Sequence, residues 1–178
     1  ADAPAALDRV RAARAAAASG IDGAEASLQA LRATYAPEAL ATVADNVEQA
    51  RGRIAFADRQ IDEAQTALTA GDGGEAAVGI RSAEDAVQQA VVLETAIDTL
   101  GQNLAAGEQQ AAALIPEIER DIADARALPD PDGRIAAAIA ETTRRLDAAR
   151  ADLAAAQRRP LATLQLLQEA DQGIDAVV

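Results

Sequence analysis

Cysteine, histidine, lysine, methionine and tryptophan are all missing from this chain, which has a single Phe and a single Tyr. Without Cys and His there is no disulfide framework, no Cys/His zinc site, no catalytic thiol and no imidazole base. Without Lys there is no Schiff-base nucleophile. Cysteine-free chains fit any redox compartment, so this absence excludes no location. Long apolar runs are missing too: no stretch approaches the roughly 18 residues that a membrane-spanning helix needs. Positive charge is scarce, with 16 Arg against 29 Asp plus Glu and a net charge of −13. That balance repels phosphate backbones and anionic membrane surfaces, so neither nucleic-acid binding nor direct membrane insertion is expected. The adjacent pairs Arg144-Arg145 and Arg158-Arg159 read as solvated helix surface.

What the chain has in abundance is alanine, 51 of 178 residues. Alanine is the strongest helix former, and strand formers are sparse. The periodicity decides the class. Leu40, Val43, Val47, Ala50, Ile54, Ala57, Ile61, Ala64 and Leu68 recur at alternating spacings of 3 and 4, a pattern that a strand with period 2 cannot produce. A second series runs Ala76, Ile80, Ala83, Val87, Ala90, Glu94, Ile97, Gly101, Leu104, Glu108, Ala111, Ile115, Ile118, Ile122, Ala125. Its weak points are Glu94, Gly101 and Glu108. A third reads Ile135, Ile139, Thr142, Leu146, Ala149, Leu153, Ala156. Leu7, Val10, Ala17, Ile21, Ala24, Leu28 and Leu31 line a first helix, loosened by Gly20 and Gly23. Leu161, Leu164, Leu167, Ile174 and Val177 line a last one.

Punctuation sets the boundaries. Pro37 suits a first helical turn. Gly71 to Gly74 is a turn, with Asp72 and Glu75 spaced as a helix cap and its capping-box partner. Pro116 removes one backbone bond and should kink its helix. Pro129 to Gly133 ends that helix. The expected helices are 4–33, 37–69, 74–127 (kinked between Gly101 and Pro116), 132–157 and 160–177, forming one bundle over 1–100 and a second over 101–178. Ile61, Asp62, Ala64 and Leu68 echo Leu146, Asp147, Ala149 and Leu153 at an offset of 85. Ala83, Glu84 and Val87 echo Ala170, Asp171 and Ile174 at an offset of 87. Whether this is a true internal repeat is open. The fold expected is all-α, an elongated antiparallel helical bundle, with two spectrin-like three-helix units sharing one long helix if the repeat is real.

The residues available for chemistry are carboxylates, guanidiniums, a few hydroxyls and one phenol. A di-iron bundle site in its usual form needs His and is excluded. Asp130, Asp132 and Gly133 begin like a calcium loop, but the remaining ligands and the closing Glu are missing, so a capped turn is expected. Asp58, Asp62 and Glu63 are spaced as a cluster on a solvated face. Gly71 to Gly74 lacks the Lys and the preceding strand of a phosphate loop. Glu94 and Glu108 fall on otherwise apolar seams. Either the seam is exposed there, the preferred reading because burying an unpaired carboxylate is costly, or these acids form a buried polar device or a gap for a partner. Tyr35 and Phe56 are expected as core plugs. Ser19, Ser27 and Ser82 belong to no nucleophile motif. No catalytic, cofactor-binding or metal-binding residue is assigned, no cofactor is expected, and the protein partner and oligomeric state are not specified.

Four stretches carry a resemblance. Leu28 to Tyr35, continued by Val43 to Ala57 (VADNVEQARGRIAFA), resembles the helical region of large actinobacterial TPM-domain proteins, as do Ala76 to Ala90 (AAVGIRSAEDAVQQA) and Leu164 to Asp171. The similarity runs over most of the chain, and the use of Arg without Lys suits a high-GC genome of that kind. The resemblance implies a parent protein with an extracytoplasmic, phosphatase-like TPM domain, one membrane helix and a long Ala-rich helical region on the cytoplasmic side. Only the helical region matches, so the phosphatase activity is carried onto no residue here. With no initiator Met and no signal pattern at Ala1 to Pro4, the chain reads as part of such a longer protein. The function expected is a non-catalytic structural or interaction module, not an enzyme. The alternatives are a regulatory module that binds a partner helix along Glu94 to Glu108, and a hydrolase working with carboxylates alone.

Overall fold

A computed structural model describes residues 2–178. Among them are α1 (Ala3–Thr34), a 3-10 helix (Pro37–Leu40), α2 (Asn46–Thr69), α3 (Gly73–Arg126), α4 (Arg134–Leu153) and α5 (Pro160–Asp175). The only extended pairing among the described residues is an isolated bridge between Tyr35 and Arg158. The protein is all-α.

Side-chain burial follows the heptad seams. Leu7, Val10, Ala17, Ile21, Ala24 and Leu28 of α1 meet Val47, Ala50, Ile54, Ala57, Ile61 and Ala64 of α2 and Ile80, Ala83, Val87, Ala90 and Ile97 of α3 in one core. A second core joins Ala111, Ile118 and Ile122 of α3 to Leu146 and Ala149 of α4 and Leu167 and Ala170 of α5. Two compact units result. The first holds the chain up to Leu31 together with Thr42–Leu100, and the second holds Arg32–Ala41 with Gly101–Val178. Each is built on three helices, and α3 contributes to both.

Within the first unit the helix directions follow from the contacts. Arg11 bonds Gln65, Arg14 bonds Asp58, and Arg51 bonds Glu25. The partners therefore descend α2 as α1 ascends, and the two helices are antiparallel. Close packing of α2 on α3 relies on small residues. A Cβ added at Gly79 would lie 3.1 Å from both Ala64 Cβ and Gln60 O, so the backbones are in contact there. The α2–α3 connection explains itself residue by residue. Gly71, at φ 80°, takes the left-handed conformation that L side chains resist. Its N–H bonds Leu68 O while that of Asp72 bonds Ala67 O at 2.8 Å, which together close α2 in a Schellman motif. Asp72 then caps α3, its Oδ1 accepting the Glu75 N–H at 3.0 Å. One residue ends a helix and starts the next.

In the second unit α4 packs on α5. Asp130 holds the start of α4: its two carboxylate oxygens accept the N–H groups of Ile135 and Ala136 at 3.0 and 2.9 Å. Gly133, at φ 77°, makes the turn possible. The segment is a capped turn.

Several expectations are corrected. The helix expected over 37–69 is broken, with residues 41–45 in turns between the 3-10 helix and α2. Asp45 and Asn46 are poor interior residues because their side chains compete for backbone bonds, and Asn46 Nδ2 donates to Leu93 O at 3.0 Å. Leu40 and Val43 remain buried all the same. At 24 residues, α2 spans about 36 Å. The helix expected over 132–157 ends at Leu153, leaving Ala156 exposed, because Arg158 is drawn into backbone pairing with Thr34 and Ala36. On α5 the buried face is Pro160, Thr163, Leu167, Ala170 and Ile174, whereas Leu161 is 50% exposed. Phe56 is no core plug: it is 36% exposed, with the Arg59 guanidinium 5.7 Å above its ring. Tyr35 is buried. The helix of α3 continues through Gly101 and Pro116, and Pro116 lies on the exposed face.

Candidate functional site

The seam acids are not on open surface, and their surroundings differ. Glu108 lies on the α3 seam of the second unit, half-buried. Its Oε1 accepts from Arg158 Nε at 2.5 Å, and the two side chains are only 23% and 28% exposed. The Arg158 guanidinium also stacks 5.7 Å from the centre of the Tyr35 ring. Burial first, then the Glu108 charge, push the Tyr35 pKa up. The backbone draws these groups together: Arg158 N–H donates to Thr34 O at 3.1 Å and Ala36 N–H to Arg158 O at 2.8 Å. Gln157 Nε2 reaches Arg32 O at 3.2 Å. Arg158 is thus not the solvated helix residue that its neighbourhood in sequence suggested. It clasps the segment after α1 to α3 and to the α4–α5 connection.

Glu94 lies on the α3 seam of the first unit, half-buried, against Gly20 of α1. A Cβ at Gly20 would collide with its carboxylate. Its Oε1 has no surface exposed to water and no hydrogen-bond partner among the described residues. Burial alone pushes its pKa above the ordinary value. The reading of Glu94 and Glu108 as positions where the seam is exposed is therefore overturned. One is a paired polar device, the other an unpaired one.

Three further polar placements escaped the sequence reading. Arg14 falls on the α1 seam between Val10 and Ala17, and makes a two-pronged pair with Asp58, Nε to Oδ1 at 2.6 Å and Nη2 to Oδ2 at 2.9 Å. That bond raises the pKa of Arg14. The seven-residue step from Leu7 to Arg14 to Ile21 was the available signal. Asp58 is accordingly an ion-pair partner, while Asp62 and Glu63 are exposed and separate from it. Asn46 is buried with its amide spent on α3.

The third is an acidic group in the second unit. Carboxylate oxygens of Asp121 on α3 and of Asp171 and Asp175 on α5 all lie within 4.8 Å of one another. Burial, followed by the charges of Asp175 and Asp121, pushes the Asp171 pKa up. Among the described residues this is the group whose donor atoms could hold a divalent cation. Three carboxylates are about half of the 6–8 oxygens that calcium takes. No spacing within one element could have revealed the group, because α3 and α5 each supply part of it.

Surface depressions are open. One of about 460 Å³ at the α2–α3 turn is lined by Asp62, Glu63, Asp72 and Glu75. Another of about 300 Å³ between α2 and α3 is lined by Gln49, Arg53, Gln88, Gln89, Val92 and Leu93.

Comparison of the chain with protein-family models, curated proteins and solved structures finds no match to any of them. No helix among the described residues is long and apolar enough to cross a membrane.

Proposed function

We propose that this chain is a non-catalytic structural or protein-interaction module, the cytoplasmic helical part of a membrane-anchored TPM-domain protein. The observation that carries the non-catalytic reading is how its polar side chains are used. Several of those drawn toward the cores join one element to another: Arg14 to Asp58, Asn46 to Leu93 O, Arg158 to Glu108 and Tyr35. A chain without Cys, His or Lys has few other groups to offer for nucleophilic or proton-transfer chemistry. The membrane-anchored parent rests on the resemblance of residues 28–35, 43–57, 76–90 and 164–171 to the helical region of that family.

The regulatory alternative, a partner helix lying along Glu94 to Glu108, is weaker because Ile97 and Leu104 are already fully covered. The carboxylate hydrolase would have to use Asp121, Asp171 and Asp175.

Two measurements test the proposal. Purified protein is assayed against chromogenic phosphate and acyl esters, with and without Mg²⁺, Mn²⁺ and Ca²⁺. No turnover is expected, whereas turnover that survives repurification and disappears in Asp171→Asn overturns the non-catalytic reading. Cross-linked partners of the membrane-anchored parent are then compared with those of a parent lacking these helices. Loss of a defined set supports the interaction module, and identical sets overturn it.

A further inference from the structure

The polar groups of the first unit's seams are paired with one exception. Arg14 has Asp58, Asn46 has the Leu93 carbonyl, and Glu94, the next residue along, has nothing for its inward oxygen. The carboxylate sits where Gly20 leaves room on α1, in a core whose neighbouring seam residues are Ala17, Ile21, Ala24, Ala90 and Ile97. A protonated carboxyl fits such a seat, because it is neutral. A carboxylate does not, since an unpaired buried charge is expensive and no cation compensates it.

The charged groups on the adjoining helices offer no relief. On α1, Asp22 is exposed and Glu25 is engaged by Arg51 of α2. On α2, Asp45, Glu48 and Arg53 are exposed, and on α3 so is Asp98. None contributes to the upward shift of Glu94, which has burial as its sole cause.

The element facing the acid is locally weakened. Gly20 and Gly23 stand within one turn of α1, and each weakens a helix interior relative to Ala. A Cβ at Gly23 would touch nothing within 4 Å, so that position faces away from the core and the turn is held through Ile21 and Ala24. We propose that Glu94 is a proton-operated latch on α1: neutral, it lets the Gly20–Gly23 turn close onto α3, and ionised, it draws water in and opens that turn. Opening uncovers the apolar faces of Ile21 and Ala24, so proton uptake would govern whether the middle of α1 is available.

The test is hydrogen exchange on the 178-residue protein at pH 5 and pH 7.5, with each amide corrected for its intrinsic rate. The expected result is a several-fold loss of protection at the higher pH, confined to the α1 amides flanking Gly20 and Gly23 and absent in Glu94→Gln, which keeps the shape and removes the charge. Gly20→Ala provides a second variant. Its Cβ takes the carboxylate's seat and turns the flexible Glu94 end toward water, so the pH difference should shrink there too. Equal protection at the two pH values in the parent overturns the latch. So does a difference that persists in Glu94→Gln, or a loss spread evenly over α1, α2 and α3.

Discussion

At the scale of single residues, glycines separate close packing from helix propensity. Gly79 and Gly52 both lie inside helices, where Ala is favoured over Gly by about 1 kcal/mol. Around Gly52 nothing lies within 4 Å of an added Cβ, whereas at Gly79 the Cβ meets Ala64 Cβ and Gln60 O at 3.1 Å. Gly52→Ala is therefore expected to raise the melting temperature by the propensity gain. Gly79→Ala is expected to lower it, overpacking costing about 1–3 kcal/mol; thermal melts of the two variants check both signs. Asp130 gives a pH-dependent case. Backbone N–H groups of Ala136 and Ile135 hold its pKa below the ordinary 3.8. A depressed carboxylate contributes stability that is present above its unfolded pKa and lost as the pH falls through the folded one. Asp130→Ala should thus melt below the parent at pH 7, and the gap should close on acidification below 3.8; a gap that persists there would show that the cap does not act through its charge.

At the scale of elements, heptad position decides what a substitution does. Ile61 is 6% exposed on the α2 seam, and Asp62 beside it is exposed. Ile61→Asp removes a large core side chain and buries an unpaired charge, together about 3–5 kcal/mol. That is a large share of the 5–15 kcal/mol typical of a domain. Asp62→Asn should leave the denaturation midpoint nearly unchanged, since Asp and Asn are similarly poor helix formers. Chemical denaturation followed by circular dichroism measures both. If Ile61→Asp unfolds at the parent's midpoint, the α2 seam is not what holds the first unit together. Element ends follow a different logic. Gly71, Asp72, Asp130 and Gly133 terminate and cap helices through local bonds, so their positions were legible along the chain. The ends at Leu153 and Asn46 were not, because the bonds that set them come from Thr34, Ala36 and Leu93, distant in sequence.

At the scale of the whole molecule, a net charge of −13 should keep the protein from nucleic acids, whose affinity for proteins rests on cations that displace counterions. Gel retardation with duplex DNA and single-stranded RNA at physiological salt should show no shift, and a retarded band would contradict the charge argument. The helical class, the seams and the local caps were determined by sequence alone. A period of 3.5 residues, the scarcity of strand formers and the reach of Asp, Gly and Pro along the backbone are properties of neighbours in the chain. The tertiary structure alone decided the fate of the polar residues on those seams. Whether Glu108 finds Arg158 and Tyr35, whether Arg14 finds Asp58, whether Asp121 meets Asp171 and Asp175, and whether Glu94 finds nothing depends on which helices are brought side by side. The energy of a buried charge is set by its surroundings within a few ångströms, and in a helical protein most of those surroundings come from another part of the chain.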